Sequence, residues 1–421
     1  MAGRVMSPNL ALNQLVAERQ AAGEEIVHMA FGEARLPVLP EMAEQLARAA
    51  GDNAYGPVAG GAAVRAAAAG YFGRRRLPTD PGQVVLAPGS KPLLLALQMV
   101  VGGDLLIPAP AWNSYAPQAR YAGKKVFGVP IPAECGGVPD PAALRERIRT
   151  ARAAGDDPRI LVLTLPDNPT GTLAPPALVR ELCAIAEEED LLVVSDEVYR
   201  DIVHDPELPY LSPAEVVPER TVVTNGLSKS FGLGGWRCGV ARFPAGPRGE
   251  AILRDVLTFA SEAWSSLAAP LQAATAFALS EPPVIRERLA ASARLHGAVA
   301  RAVHTVFTDA GALCRPPAGG FYLYPDLEPL RDRLAADGVT DSDSLQRRLF
   351  RDFGVAVLAG HLLGDDPGAL RFKAATSLLY GATRAEQQAA LDAADPVRLP
   401  HVARTLDVLA DAFGKLCGPR P

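Results

Sequence analysis

The 421-residue sequence has few cysteines, no block of like charge, and no apolar run of the roughly 18 residues that a membrane helix requires. Its five cysteines, at 135, 183, 238, 314 and 417, are scattered and odd in number. They form no C-x-x-C pair, and the six histidines show no His-x-x-x-His spacing, so the common zinc and dithiol frameworks are excluded and no metal site is expected. Such thiols suit a reducing compartment. The start of the chain has no apolar signal core, and the expectation is a cytoplasmic protein without a membrane partner. A net charge of −5 and the lack of a basic helix argue against nucleic acid as a partner. With 48% hydrophobic residues, the chain is long enough to bury one large core and a smaller one.

What is present is a set of polar motifs at the ends of short apolar runs. The most informative is Asn225-Gly-Leu-Ser-Lys229-Ser-Phe-Gly-Leu-Gly-Gly-Trp-Arg237, which follows the β-branched run Thr221–Thr224. A lysine between serines, with an arginine eight positions on, suits an amine that forms an imine with the aldehyde of pyridoxal 5'-phosphate (PLP) while hydroxyls and a guanidinium hold the phosphate. Two further motifs precede it. Leu165-Pro-Asp-Asn168-Pro-Thr-Gly-Thr172 follows Ile160–Leu165, and Ser195-Asp196-Glu-Val-Tyr199 follows Leu191–Val194; both runs read as buried strands. In an open α/β sheet, ligands bind outside the carboxyl ends of the strands, where these groups converge. A buried carboxylate such as Asp196 keeps a pyridine nitrogen protonated, and Asn168 and Tyr199 are donors for a ring oxygen. Singly, each motif also reads as an ordinary turn or helix start.

Together, in this order, the motifs resemble those of fold-type I PLP-dependent enzymes of the class I/II aminotransferase family (aspartate aminotransferase-like), over about Phe31 to Gly381. The resemblance implies the following roles. Lys229 is the Schiff-base lysine and proton shuttle, Asp196 pairs with the pyridine nitrogen, and Asn168 and Tyr199 bind the ring oxygen. Ser228 and Arg237 bind the phosphate together with Gly89, Ser90 and Lys91, which open a helix after the strand Val84–Leu86. Trp112 stacks on the cofactor ring and contacts substrate. Tyr55 reaches the phosphate site of a neighbouring subunit, which implies a homodimer with shared sites. Arg371, in Leu370-Arg-Phe-Lys-Ala-Ala-Thr-Ser377, grips the substrate carboxylate with Asn168, and Gly32 approaches the same group. The chain departs from the family pattern at Leu358-Ala-Gly-His-Leu-Leu-Gly364, which lacks the usual proline and aromatic before the two glycines. His361 and Leu363 are either an altered pocket or drift on its rim. Glu262, Trp264, His361 and Tyr322 are candidates for the side-chain pocket without assigned roles.

The pattern of elements predicts an α/β protein: a three-layer large domain with a mostly parallel, helix-covered sheet that binds PLP, plus a smaller α/β domain built from both chain ends. Strands are expected at Val84, Leu105, Val126, Ile160, Leu191, Val222 and Gly239–Arg242, with Pro132–Pro141 and Pro244–Gly249 as surface loops. A long helix from Pro282 to Val306 bridges to strands at Gly320–Tyr324, Val355–Leu358 and Leu370–Ala374. The boundaries expected are 1–50 for an N-terminal arm and part of the small domain, 51–285 for the large domain and 286–421 for the small one. The function implied is ping-pong transfer of an amino group between an α-amino acid and a 2-oxo acid. Elimination or replacement at Cβ or Cγ, for example on S-adenosylmethionine, is the alternative on the same site. A PLP-binding transcription regulator would need an added DNA-binding domain, and the residues before Phe31 are too few for one.

Overall fold

The computed structural model describes residues 8–132 and 135–418; the first seven positions of the expected arm and positions 133–134 of the Pro132–Pro141 loop lie outside the described residues. Seven strands form the central sheet: β1 (Val84–Ala87), β2 (Asp104–Ala109), β3 (Val126–Pro130), β4 (Pro158–Thr164), β5 (Leu192–Asp196), β6 (Thr221–Gly226) and β7 (Gly239–Arg242). Their spatial order is β1-β7-β6-β5-β4-β2-β3. β7 is antiparallel to both of its neighbours, and the other pairings are parallel. Six strands therefore end at one edge of the sheet.

These strands are apolar on both faces because helices cover both. Along β4, Ile160 and Val162 pack with Leu93, Leu97 and Val256 of the helices Ser90–Val100 and Pro247–Ala263. The alternate residues Leu161 and Leu163 pack on the opposite side with Leu144, Ile148, Val179 and Leu182. Period-two alternation within an unbroken apolar run thus serves two helix layers.

The smaller unit draws on both parts of the chain. Val27–His28 pairs in parallel with Val355–Ala356. Phe372–Ala375 lies between Leu358–Ala359 and Tyr322–Leu323, antiparallel to each. The helix Pro283–Asp309 starts in a cluster of the larger unit, through Ile285 and Leu289, and ends in the core of the smaller one, through Val299, Val303 and Phe307. The expected change of unit at 285/286 thus falls inside a continuous helix. The final helix, Pro400–Cys417, folds back onto this core, where Phe413 meets Phe307 and Phe372 at centroid distances of 4.8 and 6.0 Å.

One buried ion network ties the larger unit together. Arg75, just past the helix Ala62–Arg74, reaches Asp201 at 2.6 Å and Glu281 at 2.5 Å, and its guanidinium lies over the Tyr71 ring. Removing one member of such a network strands the opposite charges away from water. Arg75→Ala is expected to lower unfolding free energy by about 3 kcal/mol or more, measured by urea denaturation. An unchanged midpoint would show that the two carboxylates find water or Arg74 instead.

Candidate active site

The sheet register places the polar side chains. Thr164, Asp196 and Thr224 are successive cross-strand partners at the ends of β4, β5 and β6. Asp196 accepts hydrogen bonds from Tyr115 Oη at 2.8 Å and Thr224 Oγ1 at 3.1 Å, and Tyr115 also shares one with Thr164 at 2.8 Å. Beyond the next strand end, the Lys229 amine donates to the Gly32 carbonyl at 2.5 Å. Asn168 donates to Tyr199 Oη at 3.4 Å, and Tyr199 shares a hydrogen bond with Tyr322 Oη at 2.8 Å. Asp167, next to Asn168, is structural: its Oδ2 accepts from the Thr170 amide at 2.9 Å and from its hydroxyl at 2.6 Å, which shapes the turn.

A cavity of about 400 Å³ opens among these groups. Of the residues singled out in the sequence, Gly32, Ser90, Lys91, Trp112, Asn168, Asp196, Tyr199, Ser228, Lys229 and Arg237 line it. Gly89 stands at its rim as the residue before the helix Ser90–Val100, with φ of 95°. A Cβ there would lie 2.2 Å from Arg237 Nη2, so a side chain at 89 would displace the guanidinium. A Cβ on Gly32 would lie 1.9 Å from Tyr322 Oη. Arg237 is itself held at φ of 53°, a left-handed conformation that a non-glycine residue adopts at a cost of about 1–2 kcal/mol. Its Nη1 donates to the Gly234 carbonyl at 2.9 Å.

Burial sets the protonation of the central pair. It pulls the Lys229 amine down to about 8, with Arg237 and Lys91 adding to the effect while Glu33 and Asp196 oppose it. It pushes the Asp196 carboxyl up to about 6, against the hydrogen bonds from Tyr115 and Thr224. A base and an acid displaced toward their neutral forms in one cleft mark a site for chemistry.

One expected residue is not brought to this cavity. Arg371 lies outside it, because Asp326 at 2.8 Å and Asp365 at 3.2 Å hold its guanidinium beside a separate cavity. Tyr55, expected at the site of a neighbouring subunit, is 95% exposed and does not line the cavity of its own chain. Of the four side-chain pocket candidates, Tyr322 alone lines the cavity among the described residues. His361 shares a hydrogen bond with Ser342 Oγ at 2.7 Å, Trp264 packs on Phe259, and Glu262 accepts from Ser261. Leu363, from the departing loop, is buried with Leu12, Val16 and Tyr324. Three contributors were not singled out for a site: Tyr115, Glu33 and Lys373. Tyr322 was a pocket candidate without an assigned role, but no local signal marked Lys373.

The Asp196 displacement has a consequence for stability. Its folded-state value lies above the ordinary 3.9, so its contribution is fully present below about pH 4 and lost as pH rises through about 6. In protein freed of small ligands, Asp196→Asn is expected to gain stability relative to the parent between pH 4 and 7, by on the order of 1–3 kcal/mol. Urea midpoints at several pH values read this out; a gap that stays constant would contradict a buried, raised carboxyl.

Comparison with known proteins agrees with this geometry. Residues 24–378 match the family described as aminotransferase class I and II. The chain is 30% identical over 361 residues to the aspartate/prephenate aminotransferase of Thermus thermophilus, covering 84% of this chain and 88% of that protein. It is also 30% identical over 389 residues to the aspartate aminotransferase of Geobacillus stearothermophilus, covering 88% and 92% of the two. The solved aspartate aminotransferase from Thermus thermophilus with maleate superposes with a TM-score of 0.79 at 27% identity, covering 96% of this chain and all of that one. A family match spanning most of the chain, over the same fold, shows that this protein belongs to the class I and II aminotransferases.

Proposed function

We propose that the cavity holds PLP and that the protein transfers an amino group between an α-amino acid and a 2-oxo acid. The observation that carries this reading is the placement of Lys229 and Asp196 in one cavity, buried and each displaced toward its neutral form. The remaining residues fit the cofactor chemically. Asn168 Nδ2 carries two N–H groups and gives one to Tyr199, so one is left to donate to a ring oxygen. Ser90, Lys91, Ser228 and Arg237 supply hydroxyls, cations and the amino end of an 11-residue helix, a donor set suited to a phosphate dianion. Trp112 offers a flat apolar face on the same cavity.

Bound there, the cofactor supplies an aldehyde for reversible linkage to amines and a ring that takes up the electrons of the bond broken at the substrate α-carbon. The protein's own groups do the rest. Asp196 would be charged opposite a protonated ring nitrogen and would hold that proton in place. The Lys229 amine, drawn down to about 8 by burial, gives up its proton more readily than an ordinary lysine and would carry the α-proton. Asn168 and Tyr199 would donate to the ring oxygen, and Trp112 would offer the ring a stacking face.

The relatives reported above are named for amino-group transfer to or from aspartate and prephenate, and none for elimination or replacement at Cβ or Cγ. The alternative therefore has no support. The loop 53–61, with exposed Tyr55, fits contact with a second copy of the chain, and a homodimer is the proposed assembly. The division proposed is an arm and part of a small unit at 1–50, a large unit at 51–285 and the small unit from 286. A cytoplasmic location accords with five cysteines that form no disulfide among the described residues.

The test is direct. PLP-loaded protein is reduced with borohydride, mapped by mass spectrometry, and assayed against amino acids that include aspartate and glutamate. The expected results are a pyridoxyl adduct on Lys229, release of a 2-oxo acid, and loss of at least about 10³-fold in turnover in Lys229→Ala. An adduct elsewhere, or undiminished turnover in the variant, would overturn the reading.

A further inference from the structure

Tyr199, a donor for the ring oxygen, has company of its own. Its hydroxyl lies 2.8 Å from that of Tyr322, and Asn168 Nδ2 donates to it at 3.4 Å. Tyr199 follows β5 of the larger unit, whereas Tyr322 opens the strand Tyr322–Leu323 of the smaller one, 123 residues away in sequence. The two rings meet edge to face, with centroids 5.5 Å apart and planes at 83°, and Phe321 packs edge-on against Tyr199 at 5.5 Å. Gly32, without a Cβ, leaves the space that the Tyr322 hydroxyl occupies. Both phenols are buried, and Tyr322 Oη makes no other hydrogen bond among the described residues.

We propose, resting on the PLP reading of this cavity, that Tyr322 is a positioning residue for the ring oxygen, acting through Tyr199 as the donor that fixes the direction of its hydroxyl. Burial pushes both phenols well above their ordinary range, so each keeps its hydrogen. A phenol has one hydrogen to give and can accept through its oxygen as well. Two hydroxyl oxygens 2.8 Å apart need one hydrogen between them. When Tyr199 turns its hydrogen toward the ring oxygen, the hydrogen between the tyrosines must come from Tyr322. Tyr199 then accepts from Asn168 and Tyr322 and gives to the cofactor. Each bond it accepts makes it a stronger donor, because hydrogen bonds in a chain polarise one another.

The charged groups around the pair leave this chain of donors intact. Asp196 and the Tyr115 hydroxyl face Tyr199 but are engaged with each other, and Asp167 near Tyr322 accepts from Thr170. Lys373 lies over the Tyr322 ring, 5.4 Å from its centroid, and Lys229 lies 5.9 Å from the centroid of Phe321. Neither amine shares a hydrogen bond with the two hydroxyls among the described residues. With PLP linked to Lys229, the ring oxygen shares a proton with the linking nitrogen and carries the more concentrated negative charge once that proton leaves. A stronger donor from Tyr199 favours the deprotonated form. The smaller unit thereby tunes a contact that the larger unit makes.

The experiment is a pH titration of the visible absorbance of PLP-loaded protein, with borohydride trapping on Lys229 run alongside. Tyr322→Phe removes the hydroxyl and keeps the buried ring. The expected result is a midpoint raised by about 0.5–1 pH unit, with the adduct on Lys229 retained. Tyr199→Phe should raise the midpoint at least as far. The double variant Tyr199→Phe/Tyr322→Phe should match Tyr199→Phe to within about 0.2 pH unit, because Tyr322 acts on the ring oxygen only through Tyr199. A midpoint that stays put in Tyr322→Phe, or a shift of equal size with and without the Tyr199 hydroxyl, would sink the positioning role and leave the PLP reading intact. A parent with neither a visible band nor an adduct on Lys229 would instead overturn the PLP reading, and the role of Tyr322 with it.

Discussion

Charge buried without a matching partner, at the carboxyl edge of the seven-stranded sheet, is the constraint that the rest of this structure accommodates. Lys229, Asp196 and Lys373 are all withdrawn from water, and each is displaced toward its neutral form. The hydrogen bonds that Asp196 and Lys229 make come from other elements of the chain, so those elements must be held in position. A rigid frame must do so, and the frame here is a sheet packed with apolar side chains on both faces. Close packing resists the collapse that would otherwise bring the charged groups together or out to solvent.

The frame connects to the site through particular residues. Thr164 and Thr224 sit either side of Asp196 because three parallel strands run in register, so the carboxyl finds hydroxyl donors on both sides. The far side of the sheet edge is tied down by a different chain of contacts. Asn225, four residues before the reactive lysine, donates to Tyr71 Oη at 2.7 Å, and Tyr71 donates to Asp201 at 2.7 Å. Asp201 in turn meets Arg75 and, through it, Glu281. The loop that carries Lys229 is thus continuous with the buried ion network of the larger unit.

Much of the site was legible because its residues follow the strands at fixed short intervals. Asp196 ends β5, and Asn168 and Lys229 follow β4 and β6 within a few residues, so a buried apolar run and the polar motif after it predict where each side chain emerges. Tyr115 was harder to read, since its role depends on reaching across to β5, 81 residues away in sequence. Lys373 and Arg371 show the limit most plainly. Side chains two apart on a strand return to the same face, so spacing gives no reason to prefer one over the other. The choice is made by Asp326 and Asp365, 45 and 6 residues from Arg371, which capture its guanidinium, so that of the two only Lys373 lines the cavity among the described residues.

Local sequence by itself therefore determined the class of fold, the order of strands and helices, and the motifs at three strand ends. Hydrophobic period and turn chemistry act over a few residues and need no knowledge of the rest of the chain. Only the tertiary structure decided that Gly32 and Tyr322 line the cavity, that Tyr55 is exposed, and that Lys373 lines the cavity while the neighbouring Arg371 is paired with acids outside it. Those outcomes depend on which charges meet across long sequence separations. Coulomb and hydrogen-bond energies depend on distance in space, and distance along the chain does not supply it.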